Sequence, residues 1–276
     1  MFEQNGKTVS AVCDKGLKET IKKALLFVLI TDFTTWILWY GAFKGLSGLR
    51  IVGSFIPSLA GTIFIIKDHT VEKRLLSAKF QPKMIAFILS YSFLSLWISY
   101  MLAKLLGFNP GRFIITNSVG EIPVYNISSL FMVTLLVLVA GGPLGEEIGW
   151  RGYLMQRLEK SFDPIAAAVL TGVCWAVWHI PMFAFNVEGY NISFFVYLIQ
   201  TINLSVITGW VFKKSGQNII AAILFHTIDN LVLSLCFQPS LNETNIYTVL
   251  YWLFQLATGA FCAFDLRLKK RRGAKL

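Results

Sequence analysis

The sequence predicts an all-α fold: a polytopic transmembrane helical bundle of about eight spans, with both termini cytoplasmic. Three observations predict it. The 276 residues are 55% hydrophobic and only 14% charged, with a mean hydropathy of +0.61. A soluble domain carries about 25% charged residues, so there is too little polar surface here to coat a water-soluble particle of this size. The apolar residues fall into eight long runs, and the basic residues collect in alternate connections between them.

The runs cover roughly 22–43, 50–66, 84–106, 127–145, 164–185, 191–212, 218–237 and 246–266. Most reach the ~20 residues that cross ~30 Å of hydrocarbon as a helix; the second and fourth are the weakest. None alternates in polarity like a tilted barrel strand. Trp36, Trp39, Tyr40, Tyr190 and Trp210 lie near run ends, where aromatic rings suit the membrane interface.

The net charge of +10 raises a nucleic-acid reading, which its distribution argues against. All but four of the 25 Lys and Arg residues precede run one, lie between runs two and three, follow runs four and six, or follow run eight. The exceptions are Lys44, Arg50, Lys104 and Arg112. Positive charge accumulates on the cytoplasmic side of membrane proteins, so both termini are expected there. The basic surplus is thus a topology signal, and the expected partners are the lipid bilayer and a membrane-associated peptide or protein.

The division expected is a cytoplasmic segment at 1–21, a transmembrane domain at 22–266 and a basic tail at 267–276. The first segment lacks the layout of a cleaved signal peptide, and run one is expected to act as an uncleaved anchor. Cys13, Cys174, Cys236 and Cys262 are scattered without metal-ligand spacing and read as reduced thiols. No internal repeat or low-complexity tract is evident.

Ionisable groups at membrane depth cost roughly 2.5–3.5 kcal/mol each on insertion scales, so each needs a partner or a role. Three groups stand out. In Gly142-Pro143-Leu144-Gly145-Glu146-Glu147-Ile148-Gly149-Trp150-Arg151 the Gly-Pro-x-Gly run should loosen the helix, which restarts near the acids. Glu147 and Arg151 are i and i+4 and share a face, so they are expected to pair. Glu146 lies on another face, free to act as a base or ligand. In the second group, Trp175 and His179 are i and i+4, so the indole is expected to brace the imidazole, and Pro181 disrupts the helix beside them. The third, His226-Thr-Ile-Asp229-Asn230, sets His226 and Asn230 on one face of run seven; it has no use against lipid and must look into the bundle. The role of Asp229 is left open.

If Glu146, His179 and His226 converge, two chemistries are available. They could hold a divalent metal such as zinc with one open position. Alternatively, Glu146 and His179 could activate a water directly, with His226 and Asn230 donating to the developing oxyanion. Either leads to hydrolysis of an acyl or peptide bond. The zincin signature HExxH and a GxSxG serine setting are both absent.

Glu146-Glu147-x-x-x-Arg151, Trp175-x-x-x-His179 and His226-x-x-x-Asn230, in this order, resemble the three motifs of the CPBP family. That family comprises the CAAX prenyl proteases and the bacteriocin-processing or self-immunity membrane proteases also called Abi proteins. The resemblance covers about 127–240. It implies an intramembrane endopeptidase, labelled a metalloprotease, with Glu146 as the base that activates water and His179 as its partner. It further implies His226 and Asn230 as stabilisers of the tetrahedral intermediate, and Glu147 and Arg151 as supports. The second motif usually begins with Phe, where Trp175 stands here. A bacterial cell-membrane location is expected. Two other functions fit the same residues: a non-catalytic immunity or regulatory protein on this scaffold, and a proton-coupled carrier.

The topology also carries an expectation about depth. Glu146 and Glu147 should follow span four on the cytoplasmic side, with the site in the cytoplasmic half of the bilayer. His179 lies deep in span five, so that span must tilt or break near Pro181 for the group to close.

Overall fold

Among the described residues, eight helical stretches are long and apolar enough to cross a membrane, as the sequence predicts: Lys15–Phe43, Leu49–Asp68, Pro82–Leu105, Ile127–Leu158, Pro164–Ala184, Phe194–Lys214, Ile219–Cys236 and Ile246–Arg267. The computed structural model describes residues 2–68, 82–110, 113, 115, 118–119, 122–140, 142–185, 192–236 and 246–273, and, among them, side chains from 15 to 267. Tyr190, Arg112 and the basic residues Lys73, Arg74 and Lys79 lie outside the described residues.

The elements are α1 (Phe2–Phe43), α2 (Leu49–Ser54), α3 (Ile56–Asp68), α4 (Pro82–Leu105), the hairpin strands β1 (Ser118–Val119) and β2 (Ile122–Pro123), α5 (Ile127–Ala140), α6 (Pro143–Glu147), a π-helical segment (Ile148–Met155), α7 (Gln156–Leu158), α8 (Pro164–Trp178), α9 (Ile180–Ala184), α10 (Phe194–Lys214), α11 (Ile219–Cys236) and α12 (Ile246–Gly273). The surface is apolar: Phe33, Ile37, Ile63, Phe131 and Phe261 are all exposed. Polar and charged side chains turn inward instead, among them Asp32, Glu146, Glu147, Arg151 and Asp229. This is the inversion a lipid solvent selects.

The connections that the charge pattern assigned to one side do meet at one end of the bundle. Lys23 near the start of span one pairs with Asp68 at the end of span two (2.6 Å). Arg157 at the end of span four reaches the same carboxylate at 3.5 Å, and Tyr153 donates to it at 3.2 Å. Lys213 at the end of span six pairs with Glu159 (2.6 Å), and Lys214 pairs with Asp265 on α12 (2.5 Å). Residues from alternate connections can share ion pairs only if an even number of crossings separates them, so the alternation is physical.

Span four departs from the expectation. It does not stop at residue 145 with the acids beyond it; the apolar stretch continues to Leu158, through α6, the π-helical segment and α7. The acids do not terminate the span because they are enclosed by protein, Glu146 at 4% and Glu147 at 0% exposure. For the same reason Arg151, counted above among loop charges, is buried inside the bundle.

Helices α2 and α3 lie against α6 and the π-helical segment at backbone distance. A Cβ on Gly145 would come within 2.3 Å of the Ser54 carbonyl oxygen, and one on Gly149 within 2.3 Å of that of Pro57. Small residues permit this approach where no hydrophobic force drives helices together in lipid. Helix α8 packs on α10, α10 on α12, and α4 on α11 and α12, closing the bundle around the broken span four.

Candidate active site

The break in span four builds the first part of the site. Gly142 adopts φ +99°, a left-handed conformation, and Pro143 follows at the first position of α6. Glycine is required for space as well as for φ: a Cβ there would lie 1.9 Å from Glu146 Oε1. The chain thus folds back so that the Glu146 carboxylate rests against the Gly142 backbone. Beyond Glu147 the helix widens to i→i+5 bonding, a rare geometry associated with functional sites.

Glu146 and Glu147 divide as their spacing suggests. Glu147 Oε1 accepts from Arg151 Nη1 at 2.8 Å, with both side chains fully buried. The same oxygen meets His226 Nδ1 at 2.8 Å. Glu146 turns away from this pair, and its Oε2 accepts from Trp175 Nε1 at 2.5 Å. Among the described residues Oε1 of Glu146 accepts no hydrogen bond.

Span five breaks at His179 itself rather than at Pro181. His179 is the boundary between α8 and α9, with φ −83° and ψ −1°. Its N–H bonds back only three residues, to Ala176, and Met182 bonds to the His179 carbonyl. Pro181 has no N–H to continue the ladder, and the carbonyl of Trp178 is taken instead by the Trp36 indole of α1 at 2.9 Å. The depth conflict anticipated from sequence disappears. With span four running to Leu158, Glu146 lies inside the span, as His179 does.

Trp175 occupies the centre of the group. Besides holding Glu146, its ring lies edge-to-face with His226 (5.2 Å between centroids) and under the Arg151 guanidinium at 4.4 Å. Its backbone carbonyl meets His179 Nδ1 at 2.9 Å. Stacking on an indole face offsets part of the cost of burying the guanidinium. The sequence reading paired Trp175 with His179 and missed its bond to Glu146, because the two residues come from different spans.

The fixed partners define both imidazole tautomers. A carbonyl oxygen only accepts, so His179 Nδ1 carries a proton, and in the neutral ring Nε2 is then the acceptor nitrogen. Ionised Glu147 also only accepts, so His226 Nδ1 carries its proton there. Asn230 follows one turn beyond His226, half-buried on the same side of α11. Asp229 faces elsewhere: it accepts from Ser92 of α4 at 2.6 Å and ties the two helices together.

Among the described residues, no group of three or more His, Cys, Asp and Glu side chains is placed to hold a metal ion. The three residues contemplated from sequence as a metal set, Glu146, His179 and His226, have separate partners. The indole, the Trp175 carbonyl and Glu147 each hold one member by a separate bond, and these bonds orient the three side chains individually.

Fold and site together define a polytopic membrane protein with an enclosed carboxylate–imidazole centre. Residues 128–232, which include every residue of that centre, match the family described as "Type II CAAX prenyl endopeptidase Rce1-like". The chain is also 26% identical over 248 residues to "CAAX prenyl protease 2" of Methanococcus maripaludis, covering 80% of this chain and 89% of that protein. The chain is thus similar to CAAX prenyl endopeptidases, both over the segment that carries the site and over most of its length.

Proposed function

We propose that this protein hydrolyses a peptide bond in a membrane-associated peptide or protein with a water activated by Glu146 and His179. The observation that carries the proposal is the asymmetric Glu146 carboxylate: one oxygen is fixed by Trp175 and the other accepts no hydrogen bond. A base held in one orientation with one open oxygen is poised to take a proton from water.

In this mechanism Glu146 Oε1 accepts a proton from the water while His179 Nε2 accepts the water's second hydrogen bond and orients it. The hydroxide adds to the scissile carbonyl carbon. His226, doubly protonated with its charge balanced by Glu147, donates from Nε2 to the oxyanion, and Asn230 donates beside it. The intermediate then collapses: the C–N bond breaks, Glu146 returns its proton to the departing nitrogen, and a carboxylic acid and an amine leave. Glu147 and Arg151 act as supports, with Glu147 holding the His226 ring in its orientation through Nδ1.

The relative named as a CAAX prenyl protease supports a prenylated C-terminal peptide as the first substrate to try. We further propose that the end of the bundle carrying Lys23, Asp68, Arg157 and Lys213 faces the cytoplasm. Glu146→Gln retains shape and removes the base. In proteoliposomes with a farnesylated, internally quenched CAAX peptide it should lower turnover at least about a hundredfold, while the protein stays abundant and folded in the membrane. Full function in the cell of a Glu146→Ala/His179→Ala double variant that no longer cleaves the peptide would sink the reading and favour a non-catalytic regulatory role.

A further inference from the structure

We propose that Trp175 is a positioning residue whose indole N–H fixes the Glu146 carboxylate in its reactive orientation. The inference rests on the reading of Glu146 as the base and adds a residue to it. A phenylalanine at this place would supply a ring but no donor. The tryptophan here supplies both, and the structure uses both.

The geometry separates the two contributions. The ring serves packing: it contacts His226 at 5.2 Å and carries the Arg151 guanidinium at 4.4 Å. The N–H serves Glu146 alone, at 2.5 Å, and hydrogen bonds to a charged acceptor are about twice as strong as neutral ones. On its other side the carboxylate is backed by Gly142, where no Cβ intervenes. Glu146 is therefore held between a backbone stop and a single donor. Trp175 is itself 3% exposed, so its donor has little access to bulk water. With the donor removed, the carboxylate regains rotation about its terminal bond, and Oε1 no longer points at the water in most orientations.

Deleting a hydrogen bond to a charged group and freeing the reacting atom should cost turnover selectively. Trp175→Phe, which keeps a ring, should lower kcat about ten- to a hundredfold with KM and melting temperature near wild type. In the Glu146→Gln background the same substitution should add little, because the group it positions is already disabled. A signature independent of turnover comes from indole 15N labelling. The Trp175 N–H resonance, assigned by its absence in Trp175→Phe, should lie downfield in the wild type and move upfield in Glu146→Ala.

Wild-type kcat in Trp175→Phe, or an indole resonance unmoved by Glu146→Ala, overturns the proposal. So does a fall in melting temperature with kcat preserved, which would make the residue purely structural. If Trp175→Phe fails to fold, β-(3-benzothienyl)alanine at position 175 replaces N–H by sulfur at constant shape, and the same readouts decide. Failure of the underlying reading looks different: Glu146→Gln would then retain activity, whatever Trp175 does.

Discussion

At the scale of residues, the site is organised by what each charged group is denied. Arg151 and His226 are both buried and both depend on Glu147 Oε1. Glu147→Ala should therefore leave two buried donors without their shared acceptor. The expected cost is about 3–5 kcal/mol, seen as a lower melting temperature and reduced yield in detergent, in contrast to a stable Glu146→Gln. Gly142 is a second sensitive position that its residue type alone does not reveal. Gly142→Ala forces a non-glycine residue into φ +99° and drives a methyl group into Glu146 Oε1. The strain is of order 1–3 kcal/mol, and the displaced carboxylate should reduce kcat by more than tenfold. Turnover measured beside a thermal melt separates the two effects.

At the scale of elements, interrupted helices bring the groups together. Span four breaks at Gly142-Pro143 and widens into a π-helical segment, and span five breaks at His179. Irregular backbone at membrane depth is tolerated where protein encloses it; here Trp36 satisfies one freed carbonyl. Both breaks were legible in part, since Gly142-Pro143 and Pro181 announce them. The exact site of the second was not. It depends on which carbonyl finds an outside donor, and that donor comes from α1. Helices α4 and α11 are coupled through Ser92 and Asp229 at 2.6 Å. A double-mutant cycle of Ser92→Ala and Asp229→Ala, followed by unfolding in bicelles, should give a coupling of about 0.6 to 1.7 kcal/mol. A value of zero would make the pair dispensable as a tether.

At the scale of the whole molecule, an even number of crossings brings the charged ends of alternate spans into one network. The orientation proposed for that end is testable in a chain freed of Cys13, Cys174, Cys236 and Cys262. Asn109→Cys should react with a membrane-impermeant maleimide in intact cells, and Lys160→Cys only after permeabilisation. The reverse pattern would invert the molecule, and labelling of both from one side would refute the alternation itself.

The sequence by itself determined the solvent, the number of spans, their alternation and the identity of the six polar residues in the three motifs. Those properties are local or additive: hydropathy sums along a run, charge sums over a connection, and i, i+4 spacing brings Glu147 to Arg151. Only the tertiary structure decided that span four continues past its acids, that Trp175 binds Glu146, that Glu147 serves His226 as well as Arg151, and that Asp229 belongs to a separate tether. The last three are contacts between different spans, and the first follows from such contacts. Whether a buried charge ends a helix or completes a site depends on what another helix places beside it, and no window of sequence contains both partners.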